Sequence, residues 1–461
     1  MFKINSTPVN IHAIGFTKQQ LRSKTMKFKP KIARAQPLKT PSVIAIDHCD
    51  FYYGPMFGKK WPSIRLGLLT PGKYIAVLNT FSKDCDRHDE LLQHMNTVDL
   101  LKCICGRTAF ERIRKKREQI DTNAQKMTEL VSKRLEIVLP ELPLECNEKP
   151  IMRSEAGLGE FQHPSYTCTI GDLHMNKSQR EDLENFQVTG FESEGLQMAR
   201  RDHFLCYPSE LRLRSFPRGV FCSYPPPFKD QNGIPSWWLL DGGSLVPVLA
   251  LGLEKGESLL DLCAAPGGKS LLSLLTKLPS KVVCNDFKLA RLGMLKRALS
   301  TYVPIDSPVS DIVILKRSDA SNLATWDEIN VYDKVLADVP CSTDRLAVTQ
   351  DEGNMFSPKM TNERLNLPQI QTKILINSLR SVKVGGSVVY STCTLSSAQN
   401  EAVVESAVAI AEQKFGIQLV THLSSSGLYT FLNQCRTGIL LVPYLPSNFG
   451  PMYVCKLTKL A

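Results

Sequence analysis

Cys341 and Cys393 each close a short apolar run, the first in Ala337-Asp338-Val339-Pro340-Cys341 and the second in Val389-Tyr390-Ser391-Thr392-Cys393-Thr394. Both runs read as buried strands, which places two thiols at the rim of one sheet. Free cysteine is among the most buried residue types, so two strand-end cysteines taken blindly are core. A thiolate, however, is intrinsically nucleophilic, and its pKa can be lowered by its surroundings. A second thiol nearby, and the carboxyl of Asp338 three residues before Cys341, would add acid–base groups to such a nucleophile.

A candidate cofactor site precedes them. Leu259-Leu260-Asp261-Leu262-Cys263-Ala264-Ala265-Pro266-Gly267-Gly268-Lys269 reads as a strand, a glycine turn and a helix start. In an open α/β sheet, ligands bind outside the carboxyl ends of the strands, where the strand order reverses. Gly267 and Gly268 let the backbone approach a ligand, while the helix start and Lys269 offer positive potential to a carboxylate or phosphate. Asp286 falls at the tip of the next strand, at the ~20-residue spacing where an acid commonly holds ribose hydroxyls. Asp319 follows the third strand, placed for an adenine amine. The turn departs from the G-x-G-x-x-G pyrophosphate fingerprint, with Pro266 in its middle, which favours S-adenosylmethionine over a nicotinamide dinucleotide.

The elements that must position these groups begin at about residue 236, where apolar runs alternate with helical segments in the manner of an α/β sheet. Strands are expected near 258–262, 281–286, 312–317, 334–337, 387–391 and 453–457, and helices over 270–278, 289–300, 365–382 and 398–414. Gly385-Gly386 is expected to end the third helix in a left-handed turn. The chain then divides into a basic leader over 1–40, an N-terminal region over 41–235 and a catalytic domain over 236–461. Residues 111–138 read as a charged amphipathic helix, and Pro, Gly and Ser with weak periodicity follow, so 112–201 is expected to be an insertion or linker. A strand through 209–219 would display Arg212 and Arg214 on one face, toward a phosphate backbone or toward solvent.

With 461 residues and 43% hydrophobic content the chain can bury a large core. Its formal net charge of +11 suits a polyanionic partner, because cations that neutralise phosphates release counterions. Residues 1–46 carry basic side chains from Lys3 to Lys39 and no Asp or Glu, the profile of a mitochondrial transit peptide; a basic arm touching nucleic acid is the alternative. The 14 cysteines show no paired framework, which points to a reducing compartment. Cys103-Ile104-Cys105 makes a poor zinc site, and no clustered histidines or carboxylates suggest a metal. No apolar run approaches the ~18 residues that span a bilayer.

The blocks from Asp261 to Lys269, Asp338-Val339-Pro340-Cys341, and Ser391-Thr392-Cys393-Thr394-Leu395 with Asn400-Glu401 occur in that order. Together they resemble the NOP2/Sun-domain RNA cytosine-5 methyltransferases, from about residue 238 to the C-terminus. Residues 57–65 and 448–453 look closest to the fourth, mitochondrial ribosomal-RNA member, and next to its transfer-RNA sister. The resemblance implies an α/β, seven-stranded Rossmann-like S-adenosylmethionine-dependent methyltransferase fold with an N-terminal extension. It implies cofactor positions at Gly267, Gly268, Lys269, Asp286, Arg291, Asp319 and Asp338, the nucleophile at Cys393, and at Cys341 the cysteine that resolves the adduct. It also implies a mitochondrial-matrix location and a mitochondrial transcription-termination-factor-like partner whose helical repeats carry RNA contacts. One departure is Ala320, where close relatives often have glycine.

Cytosine C5 is too weak a nucleophile to take a methyl group directly. A thiolate added at C6 pushes electron density onto C5; after transfer, the C5 proton must leave and the C6–S bond must break. A second thiol can serve as base, directly or through water, and Asp338 can share a proton with N3 or accept from the N4 amine. The base must leave any helix to reach such a pocket, so single-stranded or looped RNA is expected. Methylation of a mitochondrial transfer RNA, or a ribosome-assembly scaffold that binds RNA without catalysis, are the alternatives. DNA cytosine methylation fits poorly, since those enzymes use a single Pro-Cys nucleophile in a different motif order.

Overall fold

The computed structural model describes residues 39–103, 198–199, 207–422 and 432–461. Nearly all of the basic leader, the charged helix at 111–138 and most of the expected insertion lie outside the described residues. The chain divides into two units, 1–108 with 196–461, and 109–195; the described residues belong to the first.

Helices α1 (Pro41–Phe57) and α2 (Trp61–Leu69) open the described chain. There follow β1 (Tyr74–Leu78), α3 (Cys85–His94), β2 (Val98–Asp99), β3 (Met198–Ala199), β4 (Leu213–Ser215) and β5 (Trp237–Asp241). Strands β2, β4, β1 and β5 form a small antiparallel sheet in that order. Within it Arg214 is buried, and its guanidinium holds Asp89 of α3 at 2.5 and 2.8 Å, while Arg212 pairs with Asp86. Asp86 and Asp89 are three residues apart on α3 and so share one face. Of the two arginines expected to face a phosphate backbone or solvent, Arg214 instead closes an internal seam, because a buried guanidinium requires a paired carboxylate, whereas Arg212 stays exposed with its exposed partner Asp86.

The larger part contains α4 (Leu245–Leu251), β6 (Ser258–Asp261), α5 (Gly268–Leu275), β7 (Lys281–Asn285), α6 (Leu289–Tyr302), β8 (Val313–Lys316) and β9 (Tyr332–Asp338). After them come α7 (Asp344–Thr349), α8 (Thr361–Ser381), β10 (Val382–Thr392), α9 (Glu401–Phe415), β11 (Leu419–His422), β12 (Leu432–Gln434), β13 (Ile439–Leu441) and β14 (Met452–Lys459). Seven of these strands build one sheet in the order β8-β7-β6-β9-β10-β14-β11, in which β14 alone runs antiparallel. The pair β13-β12 and the short β3 extend it past β14 and β11. The chain winds outward through β6, β7 and β8 and returns as β9 on the other side of β6, so the order reverses between β6 and β9. Their tips carry Asp261 and Asp338.

Alternate residues of the central strands enter opposite layers. Val335, Ala337, Val388 and Tyr390 join the core with residues of α1, α8 and α9; Leu336 and Val389 join the other with residues of α4, α5 and α6. Burial on both faces is why these strands read as unbroken apolar runs. β11 was absent from the six strands read in the sequence, since Leu419-Val420-Thr421-His422 is short and only half apolar.

Gly385-Gly386 proves to lie inside β10, not at a helix end. α8 stops at Ser381 and β10 begins at once; the pairing with β9 shifts register between Val382 and Ser387, where Gly385 takes a φ of +83°. A Cβ on Gly386 would stand 2.5 Å from the Asp333 carbonyl oxygen. The glycines serve a strand irregularity and a close backbone approach.

Candidate active site

β6 delivers Asp261 to the turn. The chain then passes a cis Ala265–Pro266 bond and Gly267, whose φ of +119° favours glycine, and α5 starts at Gly268. Asp261 is buried; Oδ2 accepts from Ser270 Oγ at 2.6 Å, and Oδ1 has no hydrogen-bond partner. Burial, with the Asp338 charge adding and the Ser270 bond opposing, pushes the Asp261 carboxyl up to about 7.

Asp286 follows the tip of β7. Its Oδ1 accepts from Lys288 N at 3.0 Å, whereas Oδ2 is buried without a hydrogen bond, 3.6 Å from Arg291 Nε. Arg291 in turn donates to the Ala265 carbonyl, tying the turn to Asp286. Asp319 Oδ1 accepts from the Ser321 amide and hydroxyl at 2.9 and 2.7 Å. Asn285, which the sequence reading did not single out, binds the Leu262 and Ser318 carbonyls, each at 3.0 Å, and accepts from Ser318 N at 2.8 Å. It holds three strand-tip loops together. A buried carboxylate oxygen awaiting a donor, beside a glycine turn at a sheet's switch point, fits the ribose diol of a nucleoside cofactor.

The thiols stand next to this site. β9 and β10 are parallel neighbours with Asp338 opposite Ser391, so their following loops leave the sheet side by side. Cys341 Sγ and Cys393 Sγ are 3.2 Å apart, and the Cys393 amide donates to Cys341 Sγ at 3.3 Å. Cys341 is buried and Cys393 half-buried. Asp338 joins the two halves, accepting from Lys269 Nζ at 2.6 Å on one oxygen and from Ser391 Oγ at 2.8 Å on the other.

The charges are coupled. Contact with Cys341, then burial and the Asp338 charge, hold the Cys393 thiol well above its ordinary pKa, while the Lys269 ammonium opposes them. Burial works against the Lys269 charge, but Asp338, with Cys393 and Asp261 adding, outweighs it and raises the pKa. The Cys263 and Cys284 thiols are pushed up by burial, Cys284 to about 12.

Further residues grip the thiol loops. Gln371 Nε2 donates to the Pro340 carbonyl at 2.8 Å, and Gln399 Oε1 accepts from Ser342 N at 3.1 Å, so Cys341 is held on both sides. Asn400 accepts from Thr392 Oγ1 at 2.5 Å and donates to the Thr394 carbonyl at 3.0 Å around Cys393. Asn400 was visible only as part of a resemblance block; the two glutamines carry no signal of spacing. Among the described residues no group of three or more His, Cys, Asp or Glu side chains could hold a metal ion, and no helix is long and apolar enough to cross a membrane.

This strand order, turn and row of strand-tip carboxylates define an S-adenosylmethionine-dependent methyltransferase, here with two thiols at the cofactor's edge. Residues 248–457 match the family model described as 16S rRNA methyltransferase RsmB/F. The chain is 58% identical over 451 residues to the Caenorhabditis elegans protein named 5-cytosine rRNA methyltransferase nsun-4, covering 96% of this chain and 97% of that one. It is 33% identical to the Xenopus laevis 5-cytosine rRNA methyltransferase NSUN4, with 94% of each chain covered. A Danio rerio mitochondrial tRNA (cytosine(34)-C(5))-methyltransferase is 39% identical, over 49% of this chain and 61% of that one. The chain belongs to the NOP2/Sun-domain family of RNA cytosine-5 methyltransferases.

Proposed function

We propose that this enzyme methylates C5 of a cytosine in mitochondrial ribosomal RNA through a covalent Cys393–C6 adduct that Cys341 helps to resolve. The observation that carries the reading is the 3.2 Å thiol pair with Asp338 and Lys269 between it and the cofactor turn. S-adenosylmethionine supplies an electrophilic methyl group, and Gly267, Gly268, Asp286, Arg291 and Asp319 are the residues that would hold it. Cys393 gives up its proton to water and adds as the thiolate to C6, which turns C5 into a nucleophile. Asp338, kept in place by Lys269 and Ser391, shares a proton with N3 or accepts from the N4 amine. After methyl transfer Cys341, as the thiolate, takes the C5 proton, directly or through water; the C6–S electron pair returns to Cys393 and the aromatic ring re-forms.

The ribosomal substrate is favoured because the likeness to proteins named as rRNA methyltransferases runs nearly end to end, whereas the likeness to the tRNA enzyme covers half of this chain. The acid-free basic leader supports a mitochondrial-matrix location. A mitochondrial transcription-termination-factor-like protein is the partner we infer for RNA specificity, and ribosome assembly the process served. Bisulfite mapping of mitochondrial RNA after depletion tests the substrate: loss of one ribosomal-RNA site is expected, and loss confined to a transfer-RNA anticodon loop would overturn it. Full rescue of ribosome assembly by a catalytically dead Cys393→Ala protein would point to scaffolding instead.

A further inference from the structure

Asp344 opens α7, three residues beyond Cys341, and is 1% exposed. Its Oδ1 accepts from Ser342 Oγ at 2.8 Å and from Thr394 Oγ1 at 2.9 Å. Its Oδ2 accepts from the Tyr53 hydroxyl at 2.8 Å and from the Leu395 amide at 2.7 Å. Ser342 follows Cys341 and Thr394 follows Cys393, so one carboxylate ties both thiol loops to each other. A carboxyl in the first turn of a helix ordinarily serves that helix's own amides. Asp344 sends both oxygens elsewhere.

The fourth donor comes from far away in the chain. Tyr53 lies on α1, 291 residues before Asp344 in sequence, with its ring buried beside Trp61 and its hydroxyl also 3.4 Å from Thr394 Oγ1. The partners found for this carboxylate are three hydroxyls and one amide. Burial pushes the Asp344 carboxyl up and the four donors oppose it. A buried carboxylate is costly unless its lone pairs are satisfied, so such a hub persists only as a complete set.

We propose that Asp344, braced by Tyr53 of the N-terminal helix, is the positioning residue that sets the separation of Cys341 and Cys393. It touches no reacting atom. C5 and C6 are adjacent atoms of one ring, so the two sulfurs must work within a few ångströms of each other. Loops fixed to the sheet independently would let that spacing drift; a shared carboxylate couples them. A misplacement of ~1 Å can cost ~10²-fold in rate. The catalytic consequence rests on the two-thiol reading above, whereas the geometric claim does not.

Phenylarsine oxide tests the geometry on the full chain without catalysis. Its arsenic bonds both sulfurs when two thiols are close, and the two thiol protons leave with its oxygen as water. The signal counted is the part lost in Cys341→Ala, since the chain has other cysteines. Tyr53→Phe keeps the ring and removes one donor, and is expected to weaken capture ~10-fold; Asp344→Asn, which faces donors with an amide, is expected to weaken it ~10²-fold. Cofactor affinity should stay at the wild-type value in both, kcat should fall at unchanged KM for S-adenosylmethionine, and adduct lifetime should lengthen. Wild-type capture in folded Tyr53→Phe and Asp344→Asn proteins would overturn the proposal, as would an equal loss of cofactor affinity, the mark of general loosening. Weakened capture with turnover intact would uphold the positioning role and sink the two-thiol reaction instead.

Discussion

At the thiol end of the site, the carboxylates Asp338 and Asp344 have both oxygens engaged by the protein's own donors. At the cofactor end, Asp261 and Asp286 each leave one buried oxygen without a hydrogen bond. All four are aspartates at or just beyond strand tips of one sheet, so the residue type does not separate them. Buried polar groups are nearly always paired, and an exception calls for a ligand or a titration. The satisfied pair are therefore fixed in place by the protein itself, whereas the unsatisfied pair receive a partner or a proton.

The comparison breaks most severely at the thiols. Cys393→Ala should lower methyl transfer by on the order of 10⁴-fold or more, read as label moved from methyl-tritiated donor into RNA. Cys341→Ala should leave attack and transfer possible and trap a protein–RNA adduct that survives denaturing electrophoresis. If the two variants behaved alike, the unequal roles given to the sulfurs would be wrong.

At the cofactor end the expected losses are in binding. Asp286→Ala should weaken S-adenosylmethionine binding ~10- to 100-fold by titration calorimetry, with a smaller effect on melting temperature, because Oδ2 accepts no hydrogen bond in the free protein and its charged neighbour Arg291 is 3.6 Å away. A large drop in stability with unchanged affinity would make Asp286 a strut like Asp344. Asp261 should show the smallest effect, on the pH profile. Its folded-state pKa rises from 3.8 to about 7, so the folded state holds this proton more tightly than the unfolded chain. The stability that this brings is fully present below pH 3.8 and is lost as pH rises through about 7. Asp261→Asn should therefore flatten the fall in melting temperature across that window, measured without cofactor by scanning calorimetry. An unchanged slope would put Asp261 among the satisfied carboxylates.

Much of the fold was legible because central strands buried on both faces show as apolar runs that local pattern can find. Short β11, whose partner β14 is distant in sequence, did not show. The Gly385-Gly386 pair was misread because a helix cap and a strand irregularity both ask for a left-handed glycine; the register with β9 distinguishes them. Arg212 and Arg214 looked like a cationic face for the same reason: their carboxylate partners sit on α3, more than a hundred residues earlier.

By itself the sequence determined the chemistry available: a glycine turn, acids spaced for a nucleoside, and two cysteines in Pro-Cys and Thr-Cys settings. These are local properties, carried by contiguous residues. Only the tertiary structure decided that the thiols lie 3.2 Å apart, that Asp338 links Lys269 to Ser391 of the strand leading to Cys393, and that Tyr53 reaches Asp344. The physical reason is the parallel pairing of β9 with β10. It brings together loops 52 residues apart in the chain, and no local pattern encodes that approach.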